Sequence, residues 1–387
     1  VDFELSEEHR LLSDTVYKFM LKEVAPHVDQ IDREDRFLPG DLWPKLGRLG
    51  ILGITVPESY GGGGFDLLAA VLASEQLARV CSAVALSYIA HAVLCTDNIY
   101  RHGSEEQRRK YLPGLCGGEK FGALALTEPN AGSDAVNIQT TAVKKGKEYV
   151  LNGAKTFITN GPVADVILVY AKTDKSRGAK GISAFIVEKD FPGFSVSRHL
   201  EKLGNRGSAT GELVFEDCRV PEENLLGQEN QGVAVMMSGL DRERAVVAGA
   251  PLGLAEAALE LSLKYARERV QFGRPIGDFQ LIQAKLADMY TQIEAARLLA
   301  YRGAVTADGG ERGGKGTEMH RIAAAAVLFA GETATRSALE ALQIHGGYGY
   351  MAEYPVSRLF RDVKLWEIGA GTSEIRRLVI ARELLRG

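Results

Sequence analysis

The feature that most constrains this chain is a change in the spacing of its apolar residues. It is helical at first, turns strand-like near Phe121 and returns to a helical period near Val233. Ahead of the first change, residues 4–35 begin with a helix that Ser6 caps. Glu7 and Glu8 stand at its positive end, and Leu12, Val16, Phe19 and Met20 form one apolar stripe. Leu42, Leu46 and Leu49 mark a helix over 40–50, and further helices are expected over Leu67–Val80 and Ser82–Arg101. Ser104-Glu105-Glu106-Gln107 has the spacing of a capping box for a short helix to about Leu112. Gly61 to Gly64 are expected as a turn, because no Lys-Ser/Thr follows to complete a phosphate loop.

In the middle third, Tyr149-Val150-Leu151 and Thr156-Phe157-Ile158-Thr159 flank Asn152-Gly153, a pair suited to a tight hairpin turn. Val166–Ala171, Gly181–Val187 and Glu212–Phe215 are further strand-like runs, which predicts a compact antiparallel unit, a barrel or a sandwich. Later, Phe279, Ile282, Leu286, Met289, Ile293 and Ala296 recur at spacings of three and four, the seam of a long bundle helix. Gly309-Gly310 and Gly313-Gly314 suggest a loose loop before the next one. The expected architecture is multidomain α+β. It has an N-terminal α-helical domain (1–120), a middle antiparallel β domain (121–232) and a C-terminal four-helix-bundle domain (233–387).

A formal charge of −4 gives no overall basic field, so nucleic acid is not an expected partner, although Arg376-Arg377 could hold phosphates locally. Cys81, Cys95, Cys116 and Cys218 show no CxxC spacing and no nearby histidine pair. They are expected as buried thiols, with no metal site and no disulfide framework. No apolar run approaches the roughly 18 residues of a membrane span. No signal-like or Arg/Ser-rich stretch stands near Val1.

Two stretches carry chemistry. Ala125-Leu126-Thr127-Glu128-Pro129-Asn130-Ala131-Gly132-Ser133-Asp134 interrupts regular structure, and its small residues and hydroxyls let backbone approach a ligand. In Gln343-Ile344-His345-Gly346-Gly347-Tyr348-Gly349-Tyr350, glycines at a helix end expose backbone N–H groups to phosphate or amide oxygens. Together with Glu353, Arg358 and Asp362, these stretches resemble the two signatures of the acyl-CoA dehydrogenase family, with Asn137 as a departure from the first. Phe157-Ile158-Thr159-Asn160-Gly161 resembles the segment against the flavin ring, and Arg269-Val270-Gln271-Phe272-Gly273 the segment reaching a neighbouring subunit's FAD. The resemblance runs from about Leu5 to Leu385.

The resemblance implies FAD as cofactor and α,β-dehydrogenation of an acyl-CoA thioester. A base takes the α-proton and the β-hydrogen leaves as hydride to the flavin. It implies flavin and pyrophosphate contacts from Leu126, Thr127 and Ser133, ring contacts from Phe157 and Thr159, and a contact from Thr372. Arg269, Phe272, Gln343, Gly346 and Gly347 would meet the ADP half across a subunit boundary. Electron-transferring flavoprotein is the implied acceptor and a homotetramer the implied assembly. The implied location is the cytoplasm in a bacterium and the mitochondrial matrix in a eukaryote.

The base is where the chain departs from most relatives. They carry a glutamate before the Gly-Thr of Trp366-Glu367-Ile368-Gly369-Ala370-Gly371-Thr372-Ser373, and here that position is Ala370. The Ala370 N–H remains to bind the thioester oxygen, with an FAD ribityl hydroxyl. In the isovaleryl-CoA branch of the family, and in a long-chain branch, the base comes from the helix after the β domain. Gly239-Leu240-Asp241-Arg242-Glu243-Arg244 matches it, which puts Glu243 in that role. A salt-bridged helix glutamate beside Arg242 and Arg244 is the alternative. Arg244 is expected either to support the CoA side or to pair with a nearby acid.

Gly369 and Ala370 remove bulk beside the acyl chain, and Leu86 and Ala90 match positions that close its far end. Ser133 is expected to touch substrate as well as flavin. A short branched substrate such as isovaleryl-CoA follows from this reading. A citronellyl-type or medium-chain acyl-CoA, or a catalytically silent flavin- or acyl-CoA-binding protein, are the competing readings.

Overall fold

The computed structural model describes residues 4–36, 41–309 and 317–386. The first helices are α1 (Glu7–Glu23), α2 (Val28–Glu34), α3 (Leu42–Arg48), α4 (Leu67–Val80), α5 (Ser82–Tyr88), α6 (Asp97–His102) and α7 (Glu105–Cys116). Ser6 caps α1 by accepting the His9 N–H, and Leu12, Val16 and Met20 are buried as the stripe requires. The capping box forms at Ser104 and Gln107, but α7 runs beyond Leu112 because Leu115 and Cys116 continue its buried face. The single helix expected over Ser82–Arg101 is instead α5, a π-helical stretch at Ile89–Thr96, and α6. There the Thr96 hydroxyl donates to His91 O at 2.8 Å. The wider π turn shifts which side chains face each neighbour.

The sheet comprises β1 (Gly122–Ala125), β2 (Thr141–Lys145), β3 (Glu148–Thr159), β4 (Val166–Lys172), β5 (Ile182–Glu188), β6 (Phe194–His199), β7 (Thr210–Pro221) and β8 (Leu225–Leu226). Its order is β6-β7-β3-β2-β4-β5-β8, with β1 paired to β4. Most pairings are antiparallel as expected. β1 with β4, and one β2–β4 contact, are parallel. The expected hairpin at Asn152-Gly153 does not exist. β3 passes straight through these residues, and the turn lies at Gly146-Lys147, between the paired Lys145 and Glu148. Gly146 takes the left-handed φ of 63° that a two-residue turn requires. Asn152-Gly153 instead marks a register shift against β7, where Asn152 Oδ1 accepts the Asp217 N–H at 2.9 Å.

The chain continues through α8 (Gly232–Val247), α9 (Gly249–Glu268), the small hairpin β9 (Val270–Gln271) and β10 (Arg274–Pro275), and α10 (Gln280–Asp308). It ends in α11 (Glu318–His345), α12 (Pro355–Val363) and α13 (Ser373–Leu384). α8 to α11 pack together as the C-terminal bundle. Met289, Ile293 and Ala296 of the expected seam are buried, and Ile282 and Leu286 pack against the core. Gly310, Gly313 and Gly314 lie outside the described residues. One apolar core joins α1 and α4 to α9, α10 and α11, so the two helical regions clasp each other, while the sheet carries cores of its own.

One correction concerns membrane-length segments. Gly232–Glu268 is long and apolar enough to cross a bilayer, with mean hydropathy 1.5 over its most apolar window. That window is 78% buried inside the protein, so packing against helices and sheet accounts for its character. All four cysteines are buried and free.

Candidate active site

The candidate residues fall into three groups. The first lies where β1 and β3 end. Leu126 is buried, and Leu126 O accepts from Lys155 Nζ at 3.0 Å, while Thr127 O accepts the Thr156 N–H at 2.9 Å. The same ammonium donates to Glu128 Oε1 at 2.8 Å, and Glu128 also accepts the backbone N–H groups of Gln139 and Thr140. Burial pushes the Glu128 carboxyl up. The Lys155 charge and these hydrogen bonds outweigh it and hold the group below its ordinary range. The loop is thus pinned from beneath, leaving Ser133 exposed. Beside it, Phe157 sits at φ 58° and is 69% exposed, an unusual conformation and setting for a phenylalanine. Thr159 ends β3, and the next residue, Asn160, donates to Ser87 O and Gly122 O at 2.9 and 3.1 Å. This ties the group to α5, which carries half-buried Leu86 and leads to buried Ala90.

The second group centres on Glu243. Gly239 allows α8 to approach α6, since a Cβ there would stand 2.5 Å from Asn98 Nδ2. Glu243 is buried, and its Oε2 has no hydrogen-bond partner. Burial raises its pKa to about 7, with Arg244 and then Arg376 pulling the other way. It is therefore not the exposed salt-bridged glutamate that its Arg neighbours could have made it. Arg242 bonds Asp97 instead, at 3.0 and 3.2 Å. Arg244 pairs with Asp241 at 3.1 Å, and Asp241 is also 2.7 Å from His320 Nδ1. Gly369 and Ala370 lie in the loop before α13, whose N-cap is Thr372, accepting the Ile375 N–H at 3.3 Å. Arg376 joins this loop to the Glu243 region. It is buried and donates to Trp366 O at 2.7 Å and Gly369 O at 2.5 Å. Arg376-Arg377 is thus no phosphate cluster. Arg376 is turned inward, and Arg377 pairs with Glu332.

The third group surrounds the ends of α9 and α11. Arg269 lies over the Tyr348 ring at 5.3 Å, and Tyr265 stacks on His345 at 4.2 Å. Arg269, His345, Gly346 and Gly347 help line a cavity of about 550 Å³. Gln343 is exposed, and Phe272 is 93% exposed at φ 53°. Gly346 and Gly347 have nothing within 4 Å of where a Cβ would stand, which leaves their backbone open to a ligand.

Lys155, Glu128 and Arg376 shape these surfaces from inside, in roles that the sequence does not announce. Each is a charged residue turned inward, and no periodicity signals that. The one available hint at Arg376 is its place four residues after the N-cap Thr372, hence on the same face of α13.

Residues 6–119, 123–218 and 230–385 match the N-terminal, middle and C-terminal domains of acyl-CoA dehydrogenase. The mitochondrial isovaleryl-CoA dehydrogenase of Pongo abelii is 52% identical, over 98% of this chain and 89% of its own length. A mitochondrial 2-methylacyl-CoA dehydrogenase of Solanum tuberosum is 49% identical, over 99% and 92%. A chain solved in work on the electron transferring flavoprotein of Acidaminococcus fermentans and flavin-based electron bifurcation is 45% identical. It covers all of both chains with a TM-score of 0.97. This chain belongs to the acyl-CoA dehydrogenase family. Within it, the protein is an FAD-dependent enzyme of the kind its isovaleryl-CoA dehydrogenase relatives represent. The open Gly346–Gly347 backbone, the pinned 126–128 loop and the out-turned Phe157 fit such a cofactor.

Proposed function

We propose that the protein dehydrogenates a short branched acyl-CoA, isovaleryl-CoA to 3-methylcrotonyl-CoA, with Glu243 as the base. The observation that carries this reading is the buried Glu243 carboxyl with an unpartnered Oε2 and a pKa raised to about 7. A carboxylate so placed is poised to accept a proton from a weakly acidic carbon near neutral pH. Ala370 supplies no competing acid, and its N–H is assigned to the thioester oxygen, where it stabilises the negative charge that develops as the proton leaves. Burial around α8 keeps water from the carboxylate. Bound FAD supplies the hydride acceptor.

Leu126, Thr127, Ser133, Phe157, Thr159 and Thr372 are assigned to the flavin side. Arg269, Phe272, Gln343, Gly346 and Gly347 are assigned to the ADP half of a neighbouring subunit's FAD in a homotetramer. Gly369, Ala370, Leu86 and Ala90 line the acyl pocket, with Ser133 touching substrate from the flavin side. Arg244 is assigned to the CoA side of the substrate, with Asp241 as its acid neighbour. Electrons pass on to electron-transferring flavoprotein, in the mitochondrial matrix of a eukaryote or the cytoplasm of a bacterium.

The testing experiment is an anaerobic titration with isovaleryl-CoA, 2-methylbutyryl-CoA, butyryl-CoA and octanoyl-CoA. Fastest flavin bleaching with isovaleryl-CoA is expected. A preference for octanoyl-CoA would overturn the short branched pocket, and a preference for 2-methylbutyryl-CoA would move the branch to the α-carbon.

A further inference from the structure

Arg376 occupies an awkward place. It lies in the first turn of α13, where the helix end already carries positive partial charge, and it is only 1% exposed. Burial and a second buried cation, Arg244, oppose its charge, while the carboxyls of Glu243, Glu367 and Glu332 favour it. A guanidinium in this position must be held by strong acceptors. The acceptors are two backbone carbonyls of one loop, Trp366 O and Gly369 O, bound through its two terminal nitrogens.

The identity of the second carbonyl matters. Gly369 C=O and Ala370 N–H belong to the same peptide unit. The chain has no cis peptide bond among its described residues, so that unit is planar and trans, and its C=O and N–H point in opposite directions. Fixing Gly369 O therefore fixes where the Ala370 N–H points. Ala370 itself sits at φ 55°, a conformation an alanine adopts only when its surroundings impose it. A charged donor on the carbonyl also polarises the amide, which strengthens its N–H as a donor.

We propose that Arg376 is a positioning residue for the acyl thioester. By gripping Gly369 O, it aims and polarises the Ala370 N–H that binds the thioester carbonyl oxygen. This rests on the reading of the 369–370 loop given under the proposed function.

The test uses the FAD-loaded enzyme and its Arg376→Gln variant, each bound to carbonyl-labelled 3-methylcrotonyl-CoA and read by difference infrared spectroscopy. In the parent, the bound carbonyl stretch is expected below its solution frequency. In Arg376→Gln it should return toward the solution value, with kcat for flavin reduction falling about 10- to 100-fold and KM changing far less. Arg376→Lys, which keeps the charge but lacks the rigid two-nitrogen fork and reach of the guanidinium, should fall between. It carries the same test if Arg376→Gln does not accumulate. Arg377→Gln, next along the helix, should match the parent. A shifted band that is unchanged in an FAD-loaded Arg376 variant would overturn the role of Arg376 alone. An unshifted band in the parent would instead overturn the oxygen-binding reading of the loop, and the proposal with it.

Discussion

Glu128 and Glu243 are both buried glutamates with a cation at hand, and they have opposite environments. Glu128 accepts from Lys155 and from two backbone N–H groups. Glu243 has an oxygen with no partner, and its nearest cations are engaged elsewhere, Arg244 with Asp241 and Arg376 with two carbonyls. The Lys155 charge and hydrogen bonding hold the first carboxyl ionised, and burial holds the second near the point of taking up a proton. A buried acid whose lone pairs are filled serves architecture. One whose lone pair is left open is available for chemistry.

The largest expected effect that tests this contrast is on rate. Glu243→Gln should slow flavin bleaching by acyl-CoA about 10²- to 10⁴-fold, the usual contribution of a general base, while FAD content stays at the parent level. A parent-like rate would break the contrast outright. Next comes Lys155→Met, which strands the Glu128 charge and should destabilise the protein by about 3–5 kcal/mol in urea unfolding. Adding Glu128→Gln should recover a good part of that loss, and failure to do so would mean the pair is not the source of the cost.

A smaller effect concerns pH. Because the Glu243 carboxyl must be ionised to act, kcat/KM should rise with pH through about 7 and level above it. A limb near the ordinary value of 4.5 would place the base elsewhere. Smallest is a gain in stability for Glu243→Gln. The folded pKa lies above the unfolded one, so the parent loses stability as pH rises from 4.5 to about 7. Removing the charge should therefore stabilise by about 0.5–2 kcal/mol above pH 7, with no gain below about pH 4.5. Thermal melting at the two pH extremes would show whether the sign is right.

The order of helices, strands and helices was legible because each region keeps one period over many residues. Local exceptions were not. Asn152-Gly153 has turn chemistry, yet the core positions Tyr149, Leu151 and Ile158 hold β3 together across it, and the turn falls to Gly146. The π-helical stretch at Ile89–Thr96 has the composition of any buried helix. In the site, the loss of a carboxyl at 370 and the presence of one at 243 could be read from the chain. Whether Glu243 faced solvent or the interior could not, because that depends on helices distant in sequence closing over it. Arg376 shows the same limit, since its partners are carbonyls and backbone acceptors leave no mark in a sequence.

The loop at Gly369–Ala370 has a consequence for how such enzymes diversify. The nearest atoms to a Cβ at Gly369 would be those of Leu365, at 3.4 and 3.9 Å, and the residue is outside the left-handed region. The wall assigned to the acyl chain can therefore gain a side chain at Gly369 with no close contact to displace. With proton abstraction assigned to α8, the side chains of that wall are relieved of the base's role, while its backbone keeps the thioester oxygen. Substrate range and reactivity are then inherited as separate traits, and single changes at one position can move the first while leaving the second intact.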